Sequence, residues 1–233
     1  MTAVAILLAA GSGERMAGDR PKAFLTIDGR SLLTIAAEAA CACPRIGSLV
    51  VAAPFGWEQR ASALLPARTP AEVVAGGGTR QESVRLALAA VPEDASVVVV
   101  HDAARALAPP SLFDAVVHAL DDGTDMADRA TGAIPTVVVP DTVKRVDGEW
   151  VAETVPREGL VLAQTPQAFL REPLVDAHRR AVEAELEFTD DAALIEWAGG
   201  LVRTVPGSAD NFKVTTPEDL ERAALVLRRG EPQ

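Results

Sequence analysis

The stretch Ala9-Ala10-Gly11-Ser12-Gly13-Glu14-Arg15-Met16, continued by Pro21-Lys22, decides how the rest of this chain is read. It follows directly on Ala3 to Leu8, an uncharged apolar run whose length suits a buried strand. The chain therefore leaves a strand end into a glycine-rich loop. Two glycines let backbone N–H groups converge with no Cβ in the way, and Arg15 and Lys22 supply cations for an anion held there. Such a loop is a phosphate cradle, and a nucleoside triphosphate is its expected ligand. A dinucleotide fingerprint needs a third glycine, where Met16 stands, and an acidic residue about 20 residues further on. The second strand candidate, Leu49 to Ala53, instead ends in Pro54. A Walker loop needs Lys followed by Ser or Thr, and Lys22 is followed by Ala23. Taken alone, the loop also reads as an ordinary strand-to-helix turn carrying a solvated Arg and Lys.

Outward from this loop, short β-branched runs alternate with amphipathic segments, the pattern of a parallel sheet with helices on its faces. The spacing predicts strands near 3–9, 47–53, 72–75, 96–101 and 133–138, and helices near 32–42, 57–65, 80–90 and 111–121. Thr79-Arg80-Gln81-Glu82 is a capping box, and Thr216-Pro217 places a cap residue before a proline at the first helical position. From Pro140 to Pro156 the alternation breaks into a hairpin on the Asp147-Gly148 turn. An isolated two-stranded ribbon is marginal in water, so it should pack on its own domain or on a second subunit. The expected fold is α/β, a Rossmann-like three-layer sandwich with a mostly parallel sheet, forming one domain over 1–233 with a protruding arm at about 139–157.

Composition bounds the function. With 48% hydrophobic and 24% charged residues the chain reads as an ordinary soluble globular protein, and its longest apolar runs fall well short of the ~20 residues that span a bilayer. A net charge of −11 opposes nucleic acid and anionic membranes, so an anionic substrate needs locally concentrated cations. Cys41 and Cys43 stand too close in sequence to bridge readily and have no second pair for a zinc site. They are expected to be reduced core residues of a cytoplasmic protein. The chain ends at Gln233 just after the last helix, so no fused downstream enzyme domain is expected.

Three further constellations carry chemistry. Gly76-Gly77-Gly78-Thr79 runs into a helix whose N-terminus could hold an anion or read a base edge, with the Ser83 hydroxyl available to donate. His101-Asp102-Ala103-Ala104-Arg105 ends a central strand, where Asp102 suits a divalent cation and Arg105 a phosphate. Asp102 could equally cap the next turn and pair with Arg105. Near the C-terminus, Asp210-Asn211-Phe212-Lys213-Val214 gathers a carboxylate, an amide and a lysine before the capped helix. His118 and His178 fall in helical stretches and read as surface or packing residues. No nucleophile and base pair stands out, which fits a reaction whose nucleophile is a substrate phosphate, largely ionised at pH 7.

Together these residues resemble the 2-C-methyl-D-erythritol 4-phosphate cytidylyltransferase family. The resemblance is carried by the Ala9-Ala10-Gly11-x-Gly13-x-Arg15-Met16 loop with Pro21-Lys22, Gly76-Gly77 with Arg80 and Ser83, and His101 to Arg105. It continues through Asp141 to Arg145, Thr154-Val155-x-Arg157, Thr165-Pro166-Gln167, Thr189-Asp190 and Asp210 to Thr215, nearly the whole chain. It implies that Ala9, Ala10, Gly11, Gly13, Gly77, Ser83, Asp102 and Ala103 contact CTP while Arg15 and Lys22 neutralise the triphosphate. It further implies that Asp102, Arg105, Thr142, Arg157, Thr165, Thr189 and Lys213 surround the polyol phosphate, and that Mg²⁺ or another divalent cation assists. Arg15, Lys22 and Lys213 are the expected catalytic residues. In the family the hairpin is exchanged within a homodimer, so Thr142 and Arg157 are expected to serve the partner's site. Gly78, Glu14 and Val161 depart from the residues common in the family. The rivals are a ribitol 5-phosphate cytidylyltransferase and a non-catalytic nucleotide-binding protein of the same fold.

Overall fold

The structure, a computed structural model, describes residues 3–11, 20–121 and 130–230, so Gly13 and Arg15 lie outside the described residues. Its centre is β1 (Ala3–Leu8), which leads through the small antiparallel ribbon of β2 (Thr26–Ile27) and β3 (Arg30–Ser31) into α1 (Leu32–Cys41). Strand β1 pairs in parallel with β4 (Ile46–Ala53) on one side and β6 (Val97–Asp102) on the other. Successive side chains on a strand face opposite ways, and here both faces are apolar. Ala3, Ala5 and Leu7 join Val97 and Val99 against α1 and α4 (Pro110–Asp121), where Leu33, Ala37, Phe113 and Val117 complete one core layer. Val4 and Ile6 join Val98 and Val100 against α3 (Arg80–Leu88), α5 (Arg171–Glu183) and α6 (Asp191–Trp197), with Val84, Leu88, Leu174 and Ile195. Burying each such valine or leucine contributes about 1.5–3 kcal/mol. The β6 valines are 0% exposed, which fixes this strand in the middle.

Beyond β4 lies β5 (Ala71–Ala75), also parallel. On the far side β11 (Gln167–Leu170) runs antiparallel between β6 and β7 (Gly132–Val138). Short β10 (Val161–Ala163) continues it along β7, and β12 (Val202–Pro206) pairs with the other edge of β7 in parallel. The sheet is thus mostly parallel with helices on both faces, the α/β class expected. Strand order reverses at β1, since β4 and β6 leave it in opposite directions; such switch points are where open α/β sheets bind ligands. The first four expected helices form, although α2 (Glu58–Ser62) is shorter than the spacing suggested.

Two features position the site. Helix α7 (Pro217–Gly230) begins as its cap signature predicts, with Thr216 Oγ1 accepting from the Asp219 amide and the Asp219 carboxylate accepting from the Thr215 and Thr216 amides. Its Leu220 and Ala223 pack over Ile27, Leu32 and Val214, pinning the segment that carries Lys213. The arm is β8 (Val143–Asp147) and β9 (Trp150–Val155), which pair with each other alone. Asp147 pairs with Trp150, so the turn is Gly148-Glu149, with Gly148 at a φ of 58° that favours glycine.

Candidate functional site

A cleft of about 350 Å³ opens at the C-terminal ends of β1, β5 and β6. Its walls are Leu8 to Gly11, Lys22 and Ala23, Gly77 to Arg80, Ser83, Asp102, Ala104 and Lys213. The two glycine loops meet because Gly76 has no side chain: a Cβ there would lie 2.4 Å from the Ala10 Cβ. The second loop is internally braced. Thr79 Oγ1 accepts from the Glu82 amide at 3.1 Å, while the Glu82 carboxylate reaches back to the Gly78 amide at 2.8 Å. Ser83 Oγ accepts from the Gly77 amide at 3.0 Å and donates to the Thr79 carbonyl at 2.9 Å. The hydroxyl proton expected to serve a ligand is therefore used inside the loop, and one lone pair remains.

Asp102 forms the cleft floor. Its Oδ2 accepts from Lys213 Nζ at 2.7 Å and its Oδ1 from Arg80 Nε at 3.3 Å. Burial alone pushes a carboxyl up, but the Arg80 and Lys213 charges outweigh it and hold Asp102 below the usual carboxylate range. Lys213 reaches this position from an irregular segment rather than a strand; the Val214 amide donates to the Ala104 carbonyl at 2.8 Å and Val214 is wholly buried. Buried Asn211 locks the same segment through bonds from its amide to the Thr165 carbonyl and Gln164 Oε1.

Behind Asp102 lies a buried network of uncharged groups. The Asp102 amide donates to Thr165 Oγ1 at 3.1 Å, and Thr165 Oγ1 lies 2.9 Å from His101 Nδ1. His101 Nε2 lies 3.2 Å from the Arg105 carbonyl. Burial pushes His101 down to about 4, so it is neutral at pH 7 and does not line the cleft.

Of the residues the sequence proposed, Ala9, Ala10, Gly11, Lys22, Gly77, Ser83, Asp102 and Lys213 come together in the cleft wall. Ala103 is fully buried with its amide on the Leu8 carbonyl, and Ala104 lines the cleft in its place. Arg105 does not pair with Asp102: its guanidinium goes to the carbonyls of Asn211 at 2.9 Å and Ala163 at 3.5 Å. Thr165 is buried behind the floor, Thr189 is exposed just before α6, and Thr142 and Arg157 are exposed at the root of the arm. Arg157 donates to the Pro140 carbonyl at 2.6 Å.

Sequence reasoning gave no role to Arg80, Asp191 or His178. Arg80 links Asp102 to the buried Asp191, which also takes His178 Nε2 at 3.2 Å; of the two readings for His178, surface or packing, the structure has the buried one and adds this hydrogen bond. The capping box located Arg80 at the helix start, but nothing local in the sequence announces a partner more than a hundred residues away. Asp102 is the one carboxylate among the described residues lining the cleft, and these residues contain no cluster of three or more His, Cys, Asp or Glu. A single carboxylate facing the cleft fits a Mg²⁺ ion held mainly by substrate phosphate oxygens. Both cysteines are free, and none of the described helices is long and apolar enough to cross a membrane.

Glycine loops and cations converging at the switch point of a parallel sheet define an α/β protein built to hold a nucleotide. The model of the IspD family, 2-C-methyl-D-erythritol 4-phosphate cytidylyltransferase, matches residues 3–229, and the chain belongs to that family. It is 44% identical to the protein of that name from Frankia casuarinae, covering 98% of this chain and 82% of the relative. It is 46% identical to the one from Deinococcus radiodurans, covering 95% and 88%. Among solved structures, the 2-C-methyl-D-erythritol 4-phosphate cytidylyltransferase of Thermus thermophilus superposes with a TM-score of 0.77 at 36% identity, over 98% of this chain and 100% of that one.

Proposed function

We propose that this chain transfers CMP from CTP to 2-C-methyl-D-erythritol 4-phosphate, giving 4-diphosphocytidyl-2-C-methyl-D-erythritol and pyrophosphate. The observation that carries this reading is a cleft with glycine-loop amides and Lys22 in its wall and the Asp102–Lys213 pair at its floor. An oxygen of the polyol phosphate attacks the α-phosphorus of CTP, the bond from that phosphorus to the bridging oxygen breaks, and pyrophosphate leaves with the electron pair. Such a nucleophile is already ionised near pH 7, and no histidine is among the described residues lining the cleft. Positioning and charge neutralisation then supply the catalysis. Lys22, with Arg15, balances charge on the α-phosphate and leaving group, and Lys213 orients the attacking phosphate. The lone pair left on Ser83 Oγ suits the exocyclic amine of cytosine and disfavours the carbonyl of uracil. Asp102 would hold Mg²⁺ together with triphosphate oxygens, where the ion supplies neutralisation of phosphate charge.

The arm belongs to this reading as an exchanged element of a homodimer, bringing Thr142 and Arg157 to the partner's site. Supporting it, Trp150 and Val151 on the arm are 80% and 61% exposed, and Val138 and Leu162 on the body are also exposed. Such apolar surface suits a subunit contact. The free, reduced cysteines suit a cytoplasmic setting.

Pyrophosphate release with CTP and each polyol phosphate tests the whole reading. Release is expected with methylerythritol phosphate and not with ribitol phosphate, and is expected to stop when a chelator removes divalent cations. Lys22→Ala should lower kcat far more than it weakens substrate binding. A folded protein that releases no pyrophosphate with either polyol phosphate would overturn the proposal.

A further inference from the structure

We propose that Asp191 and His178, neither of which lines the cleft, act as positioning residues that work through Arg80 to set the Asp102 carboxylate. Arg80 is the first residue of α3, directly after the second glycine loop. Its Nη1 donates to Asp191 Oδ2 at 2.7 Å, while its Nε reaches Asp102 Oδ1 at 3.3 Å. The guanidinium is one rigid plane shared by two carboxylates, so closing on one means leaving the other. Asp191 holds the short bond because it is itself fixed: it is 1% exposed, opens α6 where the helix N-terminus favours a carboxylate, and takes His178 Nε2 on its other oxygen. His178 is 2% exposed, and Nε2 carries the proton it donates.

The anchor therefore restrains Arg80. Asp102 is left a long contact to Arg80 and a short one, 2.7 Å, to Lys213. With the Asp191 charge removed, the guanidinium is free to close on Asp102 and to shift the carboxylate from the place at which it positions Lys213 for the polyol phosphate. The second glycine loop is braced by Thr79, Glu82 and Ser83 through bonds that do not involve Asp191.

This inference rests on the cytidylyltransferase reading, and the experiment separates the two: a wild-type chain that releases no pyrophosphate refutes that reading, whereas an active wild type with unaffected variants refutes the tether alone. Steady-state pyrophosphate release and equilibrium CTP binding are measured for wild type, Asp191→Asn, Arg80→Lys and the pair His178→Gln and His178→Leu. Asp191→Asn is expected to lower kcat/KM for the polyol phosphate roughly 10- to 100-fold, as small misplacements do, with CTP affinity nearly unchanged. Lysine reaches only one carboxylate, so Arg80→Lys should behave alike. His178→Gln keeps an N–H for Asp191 and should stay well above His178→Leu; this pair decides the matter if Asp191→Asn does not fold. Wild-type kcat/KM in both Asp191→Asn and His178→Leu overturns the tether. So does a loss matched by an equal fall in the fraction of protein that binds CTP, which marks a purely structural role.

Discussion

Acidification should cost this protein stability through one buried histidine. His101 is 0% exposed and held neutral, its Nε2 donating to the Arg105 carbonyl and its Nδ1 accepting from Thr165, whose oxygen in turn accepts the Asp102 amide. A proton on Nδ1 turns that acceptor into a donor, so the Thr165 hydroxyl loses its bond to the ring and must turn its own proton elsewhere in a buried site. Burial moves the group from 6.5 down to about 4. The folded pKa is lowered, so between these values the unfolded chain binds the proton and the folded chain does not; stability is complete above the unfolded pKa and falls as pH drops through this window. At about 1.36 kcal/mol per unit the full loss is ~3 kcal/mol, of which about 2 kcal/mol is gone by pH 5. Urea unfolding at pH 8 and pH 5, without ligand or metal, measures it. His101→Asn lacks this titration and keeps His118 and His178, so its pH dependence should be shallower by about 2 kcal/mol. Equal losses in variant and wild type would refute the argument.

Lys213→Ala leaves buried Asp102 with only the long Arg80 contact; because Lys213 is 42% exposed, the stability cost should fall between surface and buried pairs, about 1–2 kcal/mol by thermal melting. Its turnover should drop by roughly 10²–10³ as a charge contact to the reacting phosphate is lost, and turnover within a few-fold of wild type would count against that role. If arms are exchanged, mixing Arg157→Ala chains with Lys213→Ala chains should restore about a quarter of wild-type sites, since each mixed dimer holds one intact site. Absence of recovery after subunit mixing argues that Arg157 serves its own chain.

Much of the fold was legible because its signals are local. The apolar run Ala3 to Leu8, the valines Val97 to Val100 and the caps at Thr79 and Thr216 each mark an element by pattern or by a cap–proline pair, and all formed at or within a residue or two of the expected place. The elements left unassigned in the main sheet were β10, β11 and β12, with three, four and five residues, short runs whose pattern alone is a weak signal. Their pairing is set by β7 and β6 rather than by their own sequence. In the site, glycine loops and strand-end residues were readable for the same reason. Partners were not: Lys213 was foreseeable as a lysine of interest, but its bond to Asp102 spans the chain, and Arg105, three residues from Asp102, turned to backbone carbonyls instead. Sequence proximity set the wrong pair because the strand end directs Arg105 toward the Asn211 segment while α3 delivers Arg80 to the floor.

The arrangement of these pairs bears on how a chain of net charge −11 takes up two anionic substrates. Fields from distant acidic groups are screened beyond about 8–10 Å, so capture depends on the charges in and just behind the cleft. There Arg80 and Lys213 are matched by Asp102 and Asp191, leaving no large uncompensated positive potential from these four groups. If Lys213 orients the attacking phosphate as proposed, that phosphate exchanges with Asp102 as the lysine's partner instead of meeting a bare cation. Exchange of one oxyanion for another is close to balanced for the lysine, which favours geometric selection over raw affinity. It is costly for Asp102, a buried carboxylate losing its closer cation. Arg80 answers that cost, since a guanidinium already within 3.3 Å keeps Asp102 ionised while Lys213 turns to the phosphate. On the proposed reading, the second cation at the floor is a condition for the first to act on substrate.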